Sequence, residues 1–267
     1  MTSSEDIPTP EVIYRYRHLV GLHRVWTEKI ITESVLHYSS PTKFNDPFDC
    51  KVHYRKLTAT NSELKQRYNN VLKKKLPNLN RAQRRGKAAQ DLEEFDREKF
   101  LAAMTEGLQA AVDKVGVLSL SKSRDNVVMW SHYAENHTGL CFGFSPARNP
   151  EFFGRAQPVD YFVEYPDIEI LRDSSEKQVE AFLLTKAIGW KYEEEWRIID
   201  HQTGSGDKIF REEALVEIIL GAGMSAADRD FITKSIKKRK HPVSVFQASA
   251  NPGSYVLDIK PYETHRD

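Results

Sequence analysis

The run Trp190-Lys191-Tyr192-Glu193-Glu194-Glu195-Trp196-Arg197 concentrates the most chemistry in these 267 residues. On an extended strand alternate side chains share a face, which sets Glu195 beside Arg197 and turns Trp196 and Ile198 the other way. Glu193, two residues upstream, completes an E-x-E spacing on the same side. A carboxylate and a guanidinium directed inward are costly unless paired or used. The competing reading is an exposed edge strand that packs only Trp196. Trp130-Ser131-His132-Tyr133 falls on an expected helix, where Trp130 and Tyr133 share a face and His132 points elsewhere. His132 has no helical Glu or His partner for a metal, so its chemistry is hydrogen bonding or proton transfer, if its role is not structural. Phe44-Asn45-Asp46-Pro47-Phe48-Asp49 sets an amide and two carboxylates between two aromatics. Asn45 and Asp46 suit turns on their own backbone, so this is either a rigid loop pinned in the core by Phe44 and Phe48 or a loop that positions a substrate.

Several chemistries lack support. There is no HExxH, no Cys/His cluster, no GxxxxGK[ST] and no GxSxG, and no metal site is expected. Gly221-Ala222-Gly223-Met224-Ser225-Ala226 matches G-x-G-x-x-A between a strand and a helix. No acidic residue ends the next strand to hold a ribose. A tight turn, with Ser225 and Asp228 capping the helix, therefore competes with nucleotide contact and is preferred.

Net charge is +1 and 29% of residues are charged, so no global field commits the chain to nucleic acid or to membranes. Cys50 and Cys141 are far apart and form no metal-spaced pair, a usage that fits a reducing cytoplasm. No apolar run approaches the ~18 residues of a membrane-spanning helix. Residues 1–10 read as a disordered lead, not a signal peptide.

The elements that must position these groups follow from periodicity. Strands are expected at residues 13–17, 35–39, 115–120, 139–144, 159–163, 195–199, 216–220, 243–246 and 255–259. Helices are expected near 22–30, 126–134, 176–188 and 225–238. Residues 61–114 are rich in helix formers, with Pro77 as an interruption, and read as a helical insert. Between 61 and 90 there are nine Lys/Arg and one acid, and residues 91–98 are mainly acidic. That insert is either a solvated face or a contact surface for a phosphate backbone. The expectation is one α+β domain over residues 11–267, with mixed or antiparallel short-stranded sheets, flanking helices and the insert.

In this order, the motifs resemble a family of uncharacterised bacterial proteins, a domain of unknown function. Its pattern is close to YKYR, FSSPxxFNDPFD, CFSxxxDNxxMWSHYAxxHxGxCxxF and K-x-x-x-W-x-YExEWRL. Here these are residues 14–17, 38–49, 118–144 and 186–198, so the resemblance spans nearly everything except the basic insert. A more distant similarity is to ADP-ribosyltransferase-like folds. That class places an Arg or His on its first strand, an aromatic or Ser/Thr on its second, and a Glu on a late strand. The similarity implies Arg15 or Arg17, Tyr38 with Ser39, and Glu195 with Glu193. The chain departs from part of that class in lacking the aromatic-turn-turn loop before the E-x-E.

The resemblance implies an NAD-dependent ADP-ribosyltransferase or NAD glycohydrolase, of the kind seen in bacterial toxins and phage-defence effectors. NAD is then the substrate. Glu195, Glu193 and His132 are its catalytic candidates, and Arg15, Arg17, Tyr38, Ser39, Asn45 and Asp46 its binding candidates. A protein or a nucleic acid would be the acceptor. Two other readings stand beside it: a nucleic-acid-processing enzyme using Asp46, Asp49 and the basic insert, and a non-catalytic ligand-sensing or binding module.

Overall fold

The computed structural model describes residues 7–54 and 57–262. Of the lead expected over residues 1–10, the first six lie outside the described residues. Two compact units form. One is built from the described residues of the spans 1–49, 113–163 and 184–267, the other from 50–112 and 164–183. Among the described residues no helix is long and apolar enough to cross a membrane.

Among the described residues the first unit carries every strand. In chain order these are β1 (Ile13–Arg17), β2 (Val35–Tyr38), β3 (Gly116–Ser121), β4 (Leu140–Phe144), β5 (Gln157–Pro158) and β6 (Asp160–Phe162). Then come β7 (Thr185–Ala187), β8 (Glu195–Asp200), β9 (Gly206–Ile209), β10 (Leu215–Leu220), β11 (Ser244–Ala250) and β12 (Leu257–Pro261). Eight of them make one sheet in the order β12-β11-β10-β4-β1-β3-β8-β5. Pairing is antiparallel except between β10 and β11, which are joined through helix α7 (Ala226–Ile236). β2 pairs with β9, and β6 with β7, in two small sheets. The unit is mixed α+β, as the irregular alternation of strands and helices implies.

Alternation along the strands gives the sheet two apolar faces. Ile13, Leu118, Leu120, Phe142, Phe144, Trp196, Ile198 and Ile218 pack into one cluster with Ile30 and Ile31 of α1 (Leu22–Glu33). Tyr14, Tyr16, Cys141 and Ile219 face the other way, onto Met129 and Trp130 of α5 (Val127–Tyr133). The Asn126 side chain starts α5 by accepting from the N–H groups of Val128 and Met129. The second unit holds α2 (Asn61–Lys75), α3 (Arg81–Glu93), α4 (Arg97–Val112) and α6 (Ser175–Leu183). Thr60 with Glu63 and Asn80 with Gln83 form capping boxes at the starts of α2 and α3.

Two differences from the expected elements matter. The helix expected over 176–188 ends at Leu183. Beyond it the backbone pairs in parallel with β6, Thr185 opposite Asp160 and Lys186 opposite Tyr161, so sheet pairing overrides the apolar period of the segment. β5 and β9 were not expected. They are two and four residues long, and neither Gln157-Pro158 nor Gly206-Asp207-Lys208-Ile209 has a strand's alternation.

The Gly221–Ala226 turn is structural. The N–H of Gly221 donates to Gly139 and that of Gly223 to His137, both at 2.9 Å, and Ser225 caps α7 by accepting from Asp228 N–H. These N–H groups are therefore committed to the chain itself and do not face outward to cradle a phosphate. A Cβ on Gly221 would lie 2.2 Å from the His137 carbonyl oxygen, whereas one on Gly86 in α3 meets nothing within 4 Å. Gly221→Ala is accordingly expected to lose about 1–3 kcal/mol in urea unfolding. Gly86→Ala should gain up to about 1 kcal/mol.

Candidate functional site

The site begins at one edge of β3. Val117 exchanges both backbone hydrogen bonds with Ser39, each at 2.9 Å. Ser121 lies opposite Tyr14, the single β1–β3 pair among the described residues. Between those two points the carbonyl of Ser119 faces the same edge, because alternate backbone groups of a strand point the same way. It accepts from Arg15 Nη1 at 2.8 Å. A cavity of about 340 Å³ lies here, lined by β1 from Tyr14 to Arg17 and by Ser119 to Ser121 of β3. That volume sits at the lower end of ordinary ligand pockets, which run from roughly 300 to 1,000 Å³.

One end of the cavity is acidic. Glu195 and Arg197 share a face of β8, and the Arg197 guanidinium is fully buried. Its Nε donates to Glu195 Oε1 at 2.8 Å, and its Nη2 to Glu195 Oε2 at 2.9 Å and to Asp49 Oδ2 at 2.6 Å. Lys186, delivered by β7, reaches Glu195 Oε2 at 3.1 Å, Asp49 at 3.7 Å and Glu193 Oε2 at 2.5 Å. Tyr133 Oη donates to Glu193 Oε1 at 2.6 Å. Three carboxylates and two cations thus share one buried cluster.

The two glutamates are tuned apart. Burial pushes both carboxyls up. Arg197 and Lys186 outweigh it at Glu195 and hold that group at about 2. At Glu193 burial wins over Lys186, with the Glu195 charge adding to it, and the carboxyl is raised. Glu195 is the more fully engaged group, with both Arg197 and Lys186 on its oxygens. Glu193 accepts from Tyr133 and Lys186 in the hydrogen bonds above, which leaves lone pairs of its oxygens unused by them, and it lines the cavity. A carboxylate pair split in this way suits one fixed anion and one group that exchanges a proton.

The other end is cationic. Burial, with Arg17 nearby, brings Arg15 down to about 9, and burial brings Arg17 down to about 10. Both remain cations at neutral pH. The Nε atoms of Arg15 and Arg17 are buried without a hydrogen-bond partner. Unpaired buried donors are rare in folded proteins.

Of the residues singled out from sequence, Arg15, Arg17, Asn45, His132, Glu193 and Glu195 all line this cavity. Asn45 hydrogen-bonds Tyr133, and His132 stands exposed with its Nδ1 3.0 Å from Tyr192 Oη. Tyr38, Ser39 and Asp46 do not line it. Tyr38 is buried against Phe152 because β2 pairs with β9 outside the main sheet. Ser39 is spent on its backbone pairing with Val117. Asp46 turns inward, its Oδ1 accepting from Phe48 N–H. Phe48 is 62% exposed and pins nothing, while Phe44 lines the cavity beneath Arg197. β8 lies between β3 and β5 and is no exposed edge. Lys186 and Tyr133 were not expected as site residues, and Asp49 was expected only for the nucleic-acid-processing reading, although each stands inside a quoted motif.

A second concavity, within the helical unit, is lined by Glu63, Arg67, Lys74 and Arg172. Glu63 is taken by the Thr60 N–H and by Arg172, and Arg67 by the Leu171 carbonyl. Among the described residues no group of three or more His, Cys, Asp or Glu is placed to hold a metal ion.

Removing one partner from a buried ion cluster strands the others. Arg197→Met is expected to cost about 3–5 kcal/mol in urea unfolding. Because the Glu195 carboxyl is held at about 2, below its ordinary 4.5, its contribution is present above pH 4.5 and fades as pH falls toward 2. Glu193, with a raised carboxyl, contributes in the opposite sense. An acid-unfolding limb in that window, reduced in Glu195→Gln, is the expected result.

Residues 129–198 match the model of a family described as a protein of unknown function, DUF2971. No curated protein and no solved structure matches the chain. The matched span runs from Met129 on α5 to Ile198 on β8. It therefore contains the helix, the lysine and both glutamates that build the acidic end of the cavity. Over that span the chain is similar to a domain family with no assigned activity, in keeping with the resemblance carried by its WSHYA and YEEEWR motifs.

Proposed function

We propose that the cavity binds NAD and cleaves the bond between its nicotinamide and ribose, as a glycohydrolase or an ADP-ribosyltransferase. The observation that carries this reading is the placement on one cavity of two first-strand arginines, Glu195 on β8 and Glu193 in the turn just before it. Arg15 and Arg17 supply donors for the diphosphate, and their unpartnered Nε atoms fit a group with several acceptor oxygens. Glu193, with lone pairs free, takes the ribose hydroxyls. Glu195 stays ionised and holds Lys186 and Arg197 in position. The ring lies among aromatics the cavity does offer, Phe44 and Tyr133, and not on Tyr38.

Breaking the C1′–N bond sends the electron pair to nicotinamide and leaves positive charge on the ribose, as in glycoside hydrolysis. A fixed carboxylate pair at that end stabilises the charge where it develops. Water then adds at C1′ and loses a proton to Glu193, giving nicotinamide, ADP-ribose and a proton. A protein or nucleic-acid nucleophile in place of water makes the same step a transfer. A cytoplasmic toxin or phage-defence effector is the setting such an activity implies. Asp46 and Asp49 lend no comparable support to nucleic-acid cleavage, since one is turned into its own loop and the other is held by Arg197.

Purified protein incubated with NAD is expected to release nicotinamide. Glu193→Gln should lower kcat by about 10²–10⁴-fold with the fold intact by circular dichroism. Glu195→Gln should also lose turnover, by releasing Lys186. Absence of turnover with water or any acceptor, together with absence of NAD binding, contradicts the reading. NAD binding without turnover would make the chain a ligand-sensing module.

A further inference from the structure

The cationic end of the cavity extends beyond the two arginines. β1 runs through His18 to α1, whose first turn returns His23 onto His18 with ring centroids 3.6 Å apart. Trp26, one turn later, stands edge-on to His23 at 4.7 Å, and the Arg17 guanidinium lies 5.7 Å from the Trp26 ring centre. Arg15, Arg17, His18 and His23 all line the cavity. Each keeps a buried nitrogen without a partner: Nε of both arginines and Nδ1 of both histidines. These four atoms, on cationic or protonatable groups, belong to side chains that line one cavity.

The charged groups facing the histidine pair are Arg15 and Arg17 from β1 and Glu135 from the turn after α5. Among the described residues Arg15 and Arg17 make no ion pair, while Glu195 acts on Arg15 and Glu135 on His18 without hydrogen-bond contact. Burial and Arg17 push His18 down, and burial with His18, Arg17 and Arg15 brings His23 to about 4. Both imidazoles are therefore neutral at pH 7 in the free protein.

We infer that Arg15, Arg17, His18 and His23 form a phosphate subsite that takes up a proton when its anion binds. The inference rests on the proposed reading in assigning the substrate's diphosphate to this end. A neutral imidazole offers one N–H and an imidazolium offers two. An anion among these four side chains favours the charged ring, as an opposite charge within ~4–6 Å does. Two stacked rings this close repel if both are charged, so uptake is limited to about one proton per site. Affinity then rises as pH falls through the bound-state pKa, by up to about tenfold per pH unit, and levels off below the free-state value.

The test uses the full chain with sulfate and with ADP-ribose. Neither probe's anionic group titrates between about pH 5 and pH 8, so uptake belongs to the protein. Calorimetry in buffers of different ionisation enthalpy is expected to show uptake approaching one proton, and both ligands should tighten as pH falls. The double variant His18→Asn with His23→Gln should flatten the pH profile and leave weaker, arginine-based binding. The inference is overturned if neither ligand binds, if affinity is unchanged across this range, or if uptake persists in the double variant. ADP-ribose binding with proton uptake but no NAD turnover would remove the cleavage reading and keep this one. NAD turnover with pH-independent binding would do the reverse.

Discussion

Arg197 is fully buried on β8, and a guanidinium cannot shed its charge there. It has to be neutralised where it lies. Glu195, two residues away on the same strand face, takes two of its donors, and Asp49 takes a third. Those two carboxylates, with Glu193, then require a second cation, and the short β6–β7 pairing supplies Lys186. The FNDPFD loop, the early end of the helix at Leu183 and the E-x-E strand thus serve one electrostatic requirement. Apolar residues of similar volume often give equal or greater stability than a buried ion cluster. Stability alone therefore does not account for five charges gathered at a cavity wall; on the proposed reading they hold a carboxylate beside a developing cation.

Cations of β1, Arg15 and Arg17, and the carboxylates of Asp49, Glu193 and Glu195 line the same cavity. The split at the β3 edge makes room there: among the described residues β1 pairs with β3 at Tyr14, Ser39 just after β2 pairs with it at Val117, and Arg15 satisfies the carbonyl left between. A continuous ladder along that edge would have closed the space. The sheet defect and the site are one feature.

Much of this was legible in residue order. Short apolar and aromatic runs located β1, β3, β4, β8 and β10, and the shared face of Glu195 and Arg197 followed from strand geometry alone. Tyr38 and Ser39 were misplaced because a first-to-second-strand analogy assumes both strands border the cavity. β2 instead pairs with β9, a strand with no readable pattern. Lys186 was hidden by an apolar helical period running past Leu183, and only long-range pairing with β6 breaks that period. Asp49 and Asp46 looked equivalent. The distinction between an ion-paired carboxylate and one turned into its own loop is set by Arg197, 148 residues downstream of Asp49. The split tuning of Glu193 and Glu195 depends on burial and on where Lys186 falls, neither of which spacing encodes.

The most direct measurement is a crystal structure of the Glu193→Gln variant grown with NAD. The account predicts unbroken NAD with its diphosphate on Arg15 and Arg17 and its nicotinamide ribose hydroxyls against residue 193 and the Lys186–Glu195 pair. NAD bound elsewhere, or bound with the ribose turned away from that pair, would contradict it.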